Sequence, residues 1–343
     1  MTRSRSTTTR QESKISTHFQ QGLDGMNLEY TLKIDHADNL YLPKETIRND
    51  LGNAKVVIGC IGGKLCAYVN AVHCIRPNNV KPLGISDAIR LEIIQNDVLG
   101  IMRAYLKKHL KDHYSEEYIN GLHVKNVECN LTLRCVGGAM PSDVISLFDK
   151  ALNHTTVHRK FAEKYRKVNT GLFYVKPKAY ALKVYDKTAE QHAKGNPLVE
   201  SRLVRIEVVF YQRSIRRIFK KPDVLISDVL SKPGLVAVCK EYRRVFEFDI
   251  VEKSVKPYLN YCVKAVFQSL LEAENVQDIS ETIARCREYL PDMEILRRAL
   301  KKRYAYRAVP DNSKQAIYYY RKRGMGIPED VLKTVKLFHD SAV

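Results

Sequence analysis

The chain has 343 residues, 45% of them hydrophobic, with 57 Lys and Arg against 38 Asp and Glu and a formal net charge of +19. That composition excludes wholesale disorder and supplies enough chain for two or three domains with a sizeable core. No window is apolar for long enough to cross a bilayer and residues 1–20 lack the apolar stretch of a signal peptide, so a cytoplasmic protein with no membrane partner is expected. The excess of positive charge calls for a polyanion, nucleic acid first and an acidic membrane surface second. Eight scattered cysteines without a C-x-x-C pair fit a reduced compartment better than a disulfide framework or a zinc site.

Residues 1–22 read as a disordered basic tail rich in Ser, Thr and Arg. The run Val56-Val57-Ile58-Gly59-Cys60-Ile61-Gly62-Gly63-Lys64-Leu65-Cys66-Ala67-Tyr68-Val69 reads as two strands about a glycine turn. Apolar residues at helical spacing (Leu91, Ile94, Val98, Ile101, Met102, Leu106) predict a helix over 91–109. Residues 124–135 alternate, with Val127, Cys129, Leu131 and Leu133 on one face and Asn126, Glu128, Asn130, Thr132 and Arg134 on the other. A short helix follows over 141–152. Strands are then predicted near 170–175, 180–187 and 203–210, and helices beyond 253, punctuated by Pro291, Pro310 and Pro328. The order predicts an α+β fold: an antiparallel sheet with helices packed on one face over 23–250, then a helical C-terminal region over 251–343 that binds DNA or assists binding.

Side chains that alternate along a strand share a face. Lys183, Tyr185 and Lys187 are therefore expected to point together, as are Arg205 and Glu207 on the later strand, with Glu128 on the polar face of the earlier one. If these strands are neighbours, a phenol, two acids and flanking lysines meet on an uncovered sheet surface. A phenol can attack phosphorus in line, carboxylates can hold a divalent cation, and lysines can stabilise a phenolate whose ordinary pKa is about 10. Each residue also has a plainer reading. A lone strand tyrosine is more often packing, and a lone strand glutamate is more often an ion-pair partner than a metal ligand.

The segment Lys183-Val184-Tyr185-Asp186-Lys187-Thr188-Ala189-Glu190, followed by Val204-Arg205-Ile206-Glu207-Val208, resembles the rolling-circle replication initiators. That group includes the filamentous-phage replication endonucleases of the gene-two type and related plasmid Rep proteins. The resemblance covers about residues 120–220. It implies a Rep nuclease-like fold, with Tyr185 as the nicking nucleophile, Lys187 as the motif lysine, Glu190 as the motif acid and Glu207 as a metal ligand. Glu128, within Val124-Lys125-Asn126-Val127-Glu128, matches the acidic ligand of an earlier strand, with Glu in place of Asp and Asn in place of Arg. Lys183 and Lys187 would hold the phosphate. The implied activity is site-specific nicking of a double-stranded origin through a covalent 5′-phosphotyrosine, with Mg²⁺ or Mn²⁺ as cofactor. A free 3′-OH would prime a host polymerase, a host helicase would unwind, and the single strand would later be rejoined.

Basic clusters supply candidate DNA contacts: Arg213, Arg216, Arg217 and Lys220 (with Arg205 on its strand), Arg297 to Arg303, and Arg321, Lys322 and Arg323. Solvated helix faces explain any one cluster as well. Tyr174 and Tyr180 are candidates for a second nucleophile, with packing as the default. The pairs His109/His113 and His154/His158 lack further zinc ligands. A non-catalytic sequence-specific DNA-binding protein, a repressor or decayed initiator, is the alternative. An RNA-binding protein is a third reading, which leaves Tyr185 and Glu207 without a role.

Overall fold

The computed structural model describes residues 21–34, 37–50, 52–76, 79, 81–154, 164–167, 171–176, 178–195, 202–273, 276–304, 314–315, 317–318 and 327–342. Among the described residues nine strands form one sheet in the order β2-β3-β4-β1-β5-β9-β8-β7-β6, and every neighbouring pair is antiparallel. They are β1 (Gly22–Thr31), β2 (Tyr41–Arg48), β3 (Ala54–Ile61), β4 (Lys64–Asn70), β5 (His123–Arg134), β6 (Lys164–Lys167), β7 (Gly171–Lys176), β8 (Tyr180–Asp186) and β9 (Leu203–Tyr211). The fold is α+β, as the order of sequence patterns predicts.

Period-two alternation makes the sheet two-sided. On one side Val127, Cys129, Leu131 and Leu133 of β5 stand beside Val204, Ile206 and Val208 of β9 and Leu182 and Val184 of β8, all at most 2% exposed. Helices cover this side. Pro141–His154 packs on β8, Lys232–Arg244 on β1 and β5, and Val331–Ala342 on β5. Burying each such aliphatic side chain contributes about 1.5–3 kcal/mol. A one-residue slip of β8 would push Lys183 and Tyr185 into this apolar layer and expose Val184, so the register is strongly fixed.

The glycine turn between β3 and β4 has φ of +57° at Gly62 and +66° at Gly63, the left-handed pair that a two-residue hairpin needs. The helix predicted over 91–109 forms as Leu91–Leu110 and packs on β3. Beyond β9, Lys232–Arg244, the π-helical Val245–Val255 and Lys256–Leu271 run on without a break. Residue 250, the expected domain boundary, falls inside that run. The C-terminal helix returns to the sheet, where the Thr334 hydroxyl oxygen accepts from the Val136 N–H at 3.2 Å. The helical C-terminal region thus packs on the same core. The first 20 residues, expected as a tail, lie outside the described residues, and Gly22 already belongs to β1.

Candidate active site

The other side of the sheet carries the polar residues. Strands β5, β9 and β8 are adjacent, and pairing puts Asn130 opposite Glu207, Thr132 opposite Arg205, Lys183 opposite Glu207 and Tyr185 opposite Arg205. Glu128, Glu207, Lys183 and Tyr185 therefore meet on one surface. The Tyr185 hydroxyl donates to Glu207 Oε2 at 3.2 Å. The Lys183 ammonium hydrogen-bonds Glu207 and lies 3.6 Å from Glu128 Oε1, so it ties the two carboxylates together. Its side chain is 33% exposed, against 13% for Glu128 and 5% for Glu207, so the cluster opens to solvent through Lys183. Gly171 of β7 stands opposite Tyr185, and a Cβ there would come within 2.7 Å of the Tyr185 Cβ.

Lys187 does not continue the strand, contrary to the sequence reading. Asp186 ends β8 and caps the helix Lys187–Ala193 by accepting from the Ala189 N–H at 2.9 Å. The turn into helix carries Lys187 out of the strand alternation, yet its ammonium lies 5.9 Å from the centre of the Tyr185 ring. It donates to Asn79 Oδ1 at 2.8 Å and to Glu190 Oε2 at 2.5 Å. Glu190 is thus the partner of the motif lysine, and no bond joins it to Tyr185. Burial, with the nearby Arg205 guanidinium, lowers the Lys187 amine to about 8. Burial works against the charge on Glu190, but Lys187, with Lys194 and Gln191, holds it down at about 2.

Arg205 is not a DNA contact. Its side chain is 0% exposed, because the residue sits mid-strand beneath the loop that carries Asn79. The guanidinium is used internally, donating to Thr132 Oγ1 at 2.8 Å, to Asp24 Oδ2 at 3.1 Å and to the Asn79 carbonyl. It is the main charge opposing the burial that raises the Tyr185 phenol above its ordinary value. Arg213, Arg216, Arg217 and Lys220 are exposed, at the helix Gln212–Phe219 that packs against Lys232–Arg244 on the helix-covered side, away from Tyr185. Arg217 pairs with Glu241. Arg321, Lys322 and Arg323 lie outside the described residues. Tyr180 faces the helices and donates to Asp249 at 3.2 Å, and Tyr174 is 4% exposed, so neither joins the cluster.

Three residues the sequence reading did not assign complete the surface. Asp24, at a bulge in β1, is 3% exposed, and its Oδ1 has no hydrogen-bond partner. Asn130 is 0% exposed with both amide atoms unpartnered. The Tyr68 hydroxyl, from β4, donates to Glu128 Oε2 at 3.0 Å. The polar alternation of β5 marks Asn130 in the sequence, whereas nothing local distinguishes Asp24 or Tyr68.

Oxygen donors of this kind suit Mg²⁺ or Mn²⁺. Among the described residues no group of three or more His, Cys, Asp and Glu is spaced to hold a metal by itself. The Lys183 ammonium lies against both Glu128 and Glu207, so a divalent ion held by these carboxylates would have to displace it and would keep most of its positions for water and phosphate, as Mg²⁺ usually does.

Burial, then repulsion from Glu207, pushes the Glu128 carboxyl up to about 7. The folded state therefore holds this proton more tightly than the unfolded chain. The stability it confers is full below the ordinary carboxylate range and is lost as pH rises through about 7. In chelator, Glu128→Gln should stabilise the protein little at pH 5 and by about 1–3 kcal/mol at pH 8, read from urea unfolding. An equal gain at both pH values would contradict this.

No protein-family model matches the chain, and no curated protein matches it. Among solved structures, a rolling circle replication initiator protein from Geobacillus stearothermophilus is similar over 58% of this chain and 77% of that chain, with 9% identity and a TM-score of 0.28. A likeness of that degree leaves the chemistry to be read from the side chains. No helix among the described residues is long and apolar enough to cross a membrane.

Proposed function

We propose that the chain initiates rolling-circle DNA replication by nicking an origin with Tyr185. The observation that carries this reading is the hydrogen bond from the Tyr185 hydroxyl to Glu207, on a surface where Lys183 links Glu207 to Glu128. The phenol oxygen attacks phosphorus, the Tyr185 Oη–P bond forms as the P–O3′ bond breaks, and Glu207 takes the phenol proton. The departing 3′ oxygen takes a proton from solvent and becomes the primer end for a host polymerase. The 5′-phosphotyrosine conserves the phosphoester, so strands can be rejoined without ATP. Glu207 and Glu128 would hold a divalent cation, Mg²⁺ or Mn²⁺, which supplies positive charge to the non-bridging phosphate oxygens. Arg205 and the Lys187 ammonium lie beside the ring and reduce the cost of forming the phenolate.

The exposed cations Arg213, Arg216 and Lys220, on the helix-covered side, would hold origin duplex away from the nick, and a host helicase would unwind it. The test is to incubate the full chain with the supercoiled DNA that encodes it, with Mg²⁺, with Mn²⁺ and with chelator. Open circles bearing covalent protein are expected only with metal. Retention of that DNA with no nick would favour the non-catalytic DNA-binding reading.

Gly171 gives a check that leaves every polar residue in place. A methyl at this position must displace the Tyr185 Cβ or the Val184 carbonyl, which a Cβ would meet at 3.0 Å. Displacing a reacting group by about 1 Å can cost on the order of 100-fold. Gly171→Ala is expected to lower the nicking rate about 10- to 100-fold while DNA retention persists, and an unchanged rate would contradict the assigned geometry.

A further inference from the structure

The helix-covered side of the sheet carries a second charged network, apart from the carboxylates of the nicking surface. Asp249, in the π-helical stretch Val245–Val255, is buried and accepts from the Tyr180 hydroxyl at 3.2 Å. Three cations surround it, with Lys176 at 3.4 Å, Lys253 at 3.7 Å and Arg244 at 3.8 Å. Arg244 also pairs with Glu241 at 2.8 Å, and Glu241 pairs with Arg217. The helix type explains the grouping. A π-helix brings residues five apart together, which is the spacing of Arg244 and Asp249. On the same spacing the Ser254 hydroxyl donates to the Asp249 carbonyl at 3.3 Å. Helices of this type are rare and concentrate at functional sites.

The acids are sunk and the cations stand out. Asp249 and Glu241 are 5% and 13% exposed, against 42–61% for Lys176, Arg217, Arg244 and Lys253. Four cations against two acids leave a positive row, fixed in place by the buried carboxylates. Phe248 is half exposed beside it, with the Lys253 ammonium 4.1 Å from its ring centre. Cations for phosphates next to an open aromatic ring suit a single strand, whose bases are free to stack on protein.

We propose that Lys176, Arg217, Arg244, Lys253 and Phe248 form a binding surface for single-stranded DNA, separate from the nicking surface. This rests on the proposed function for the choice of DNA as the nucleic acid. The surface lies at the Tyr180 end of β8, about 17 Å along the strand from Tyr185 at about 3.3 Å per residue. A few nucleotides of unpaired strand cover that distance.

The chain contains no Trp, so Phe248→Trp places the one indole of the protein at this surface. Titrated in chelator with an oligo-dT of about 20 nucleotides, the indole fluorescence should fall as a base stacks on it. Phe248→Ala should weaken oligo-dT binding about tenfold, the loss of one stacked base. Lys176→Gln combined with Lys253→Gln should lower the slope of log K against log salt by about 1.4, since each phosphate contact on a single strand contributes about 0.7. Duplex of the same length should lose much less affinity in both variants. An unchanged indole signal, or equal losses on duplex and oligo-dT, overturns the proposal and leaves the Tyr185 reading standing, since neither readout involves a nick. Intact oligo-dT binding in a chain that fails to nick supercoiled DNA would overturn the Tyr185 reading alone.

Discussion

Tyr185→Phe is expected to lower strand cleavage on the order of 10⁴-fold or more, because it removes the attacking oxygen and leaves the ring. The phenyl group keeps the position opposite Gly171 and the contact with the Lys187 ammonium, so packing changes little. One hydrogen bond to Glu207 is lost, and Lys183 still satisfies that carboxylate. Binding of duplex DNA should therefore persist, and gel retention measured beside a nicking time course separates the two effects. A variant that nicks at a tenth of the wild-type rate would remove Tyr185 from the chemistry. Tyr174 and Tyr180 could not replace it, since both lie on the helix-covered side of the sheet.

Arg205→Ala should cost the fold about 3–5 kcal/mol, the usual penalty for leaving one member of a buried ion pair without its partner. Burial already pushes the Asp24 carboxyl up, and it would lose the cation that opposes this, with Oδ1 already unpartnered and Oδ2 left with Asn79 at 3.4 Å. Thr132 Oγ1 and the Asn79 carbonyl would lose their donor as well. Replacing both charges, as Asp24→Asn with Arg205→Met, should recover most of the stability in urea unfolding, because no uncompensated charge remains. The double variant should still nick more slowly, since the charge that counters burial of the Tyr185 phenol is gone. Equal stability of wild type and Arg205→Ala would contradict the buried pair.

Much of this arrangement was legible in the sequence because strands have a simple period. Alternation in β5, β8 and β9 put Glu128, Glu207, Lys183 and Tyr185 on polar faces, and antiparallel neighbours brought those faces together. Lys187 was misread because strand alternation was carried one residue past Asp186. The D-K-T-A-E run is an N-cap signal that ends the strand. Arg205 was misread because alternation shows which face a residue takes, and burial depends on what covers that face. Here the cover is a loop carrying Asn79, distant in sequence. Tyr68 was missed for a related reason, since its reach to Glu128 depends on Gly25 in a third strand. Such contacts are set by sheet order, which no local pattern encodes.

The most direct measurement is to trap the covalent complex on the supercoiled DNA that encodes the chain, digest the protein and locate the modified residue. Attachment of a 5′-phosphoryl nucleotide to the Tyr185 oxygen, dependent on Mg²⁺ or Mn²⁺, is the predicted result. A nick made with no protein–DNA bond, or with the bond at a residue outside this sheet surface, would contradict the account.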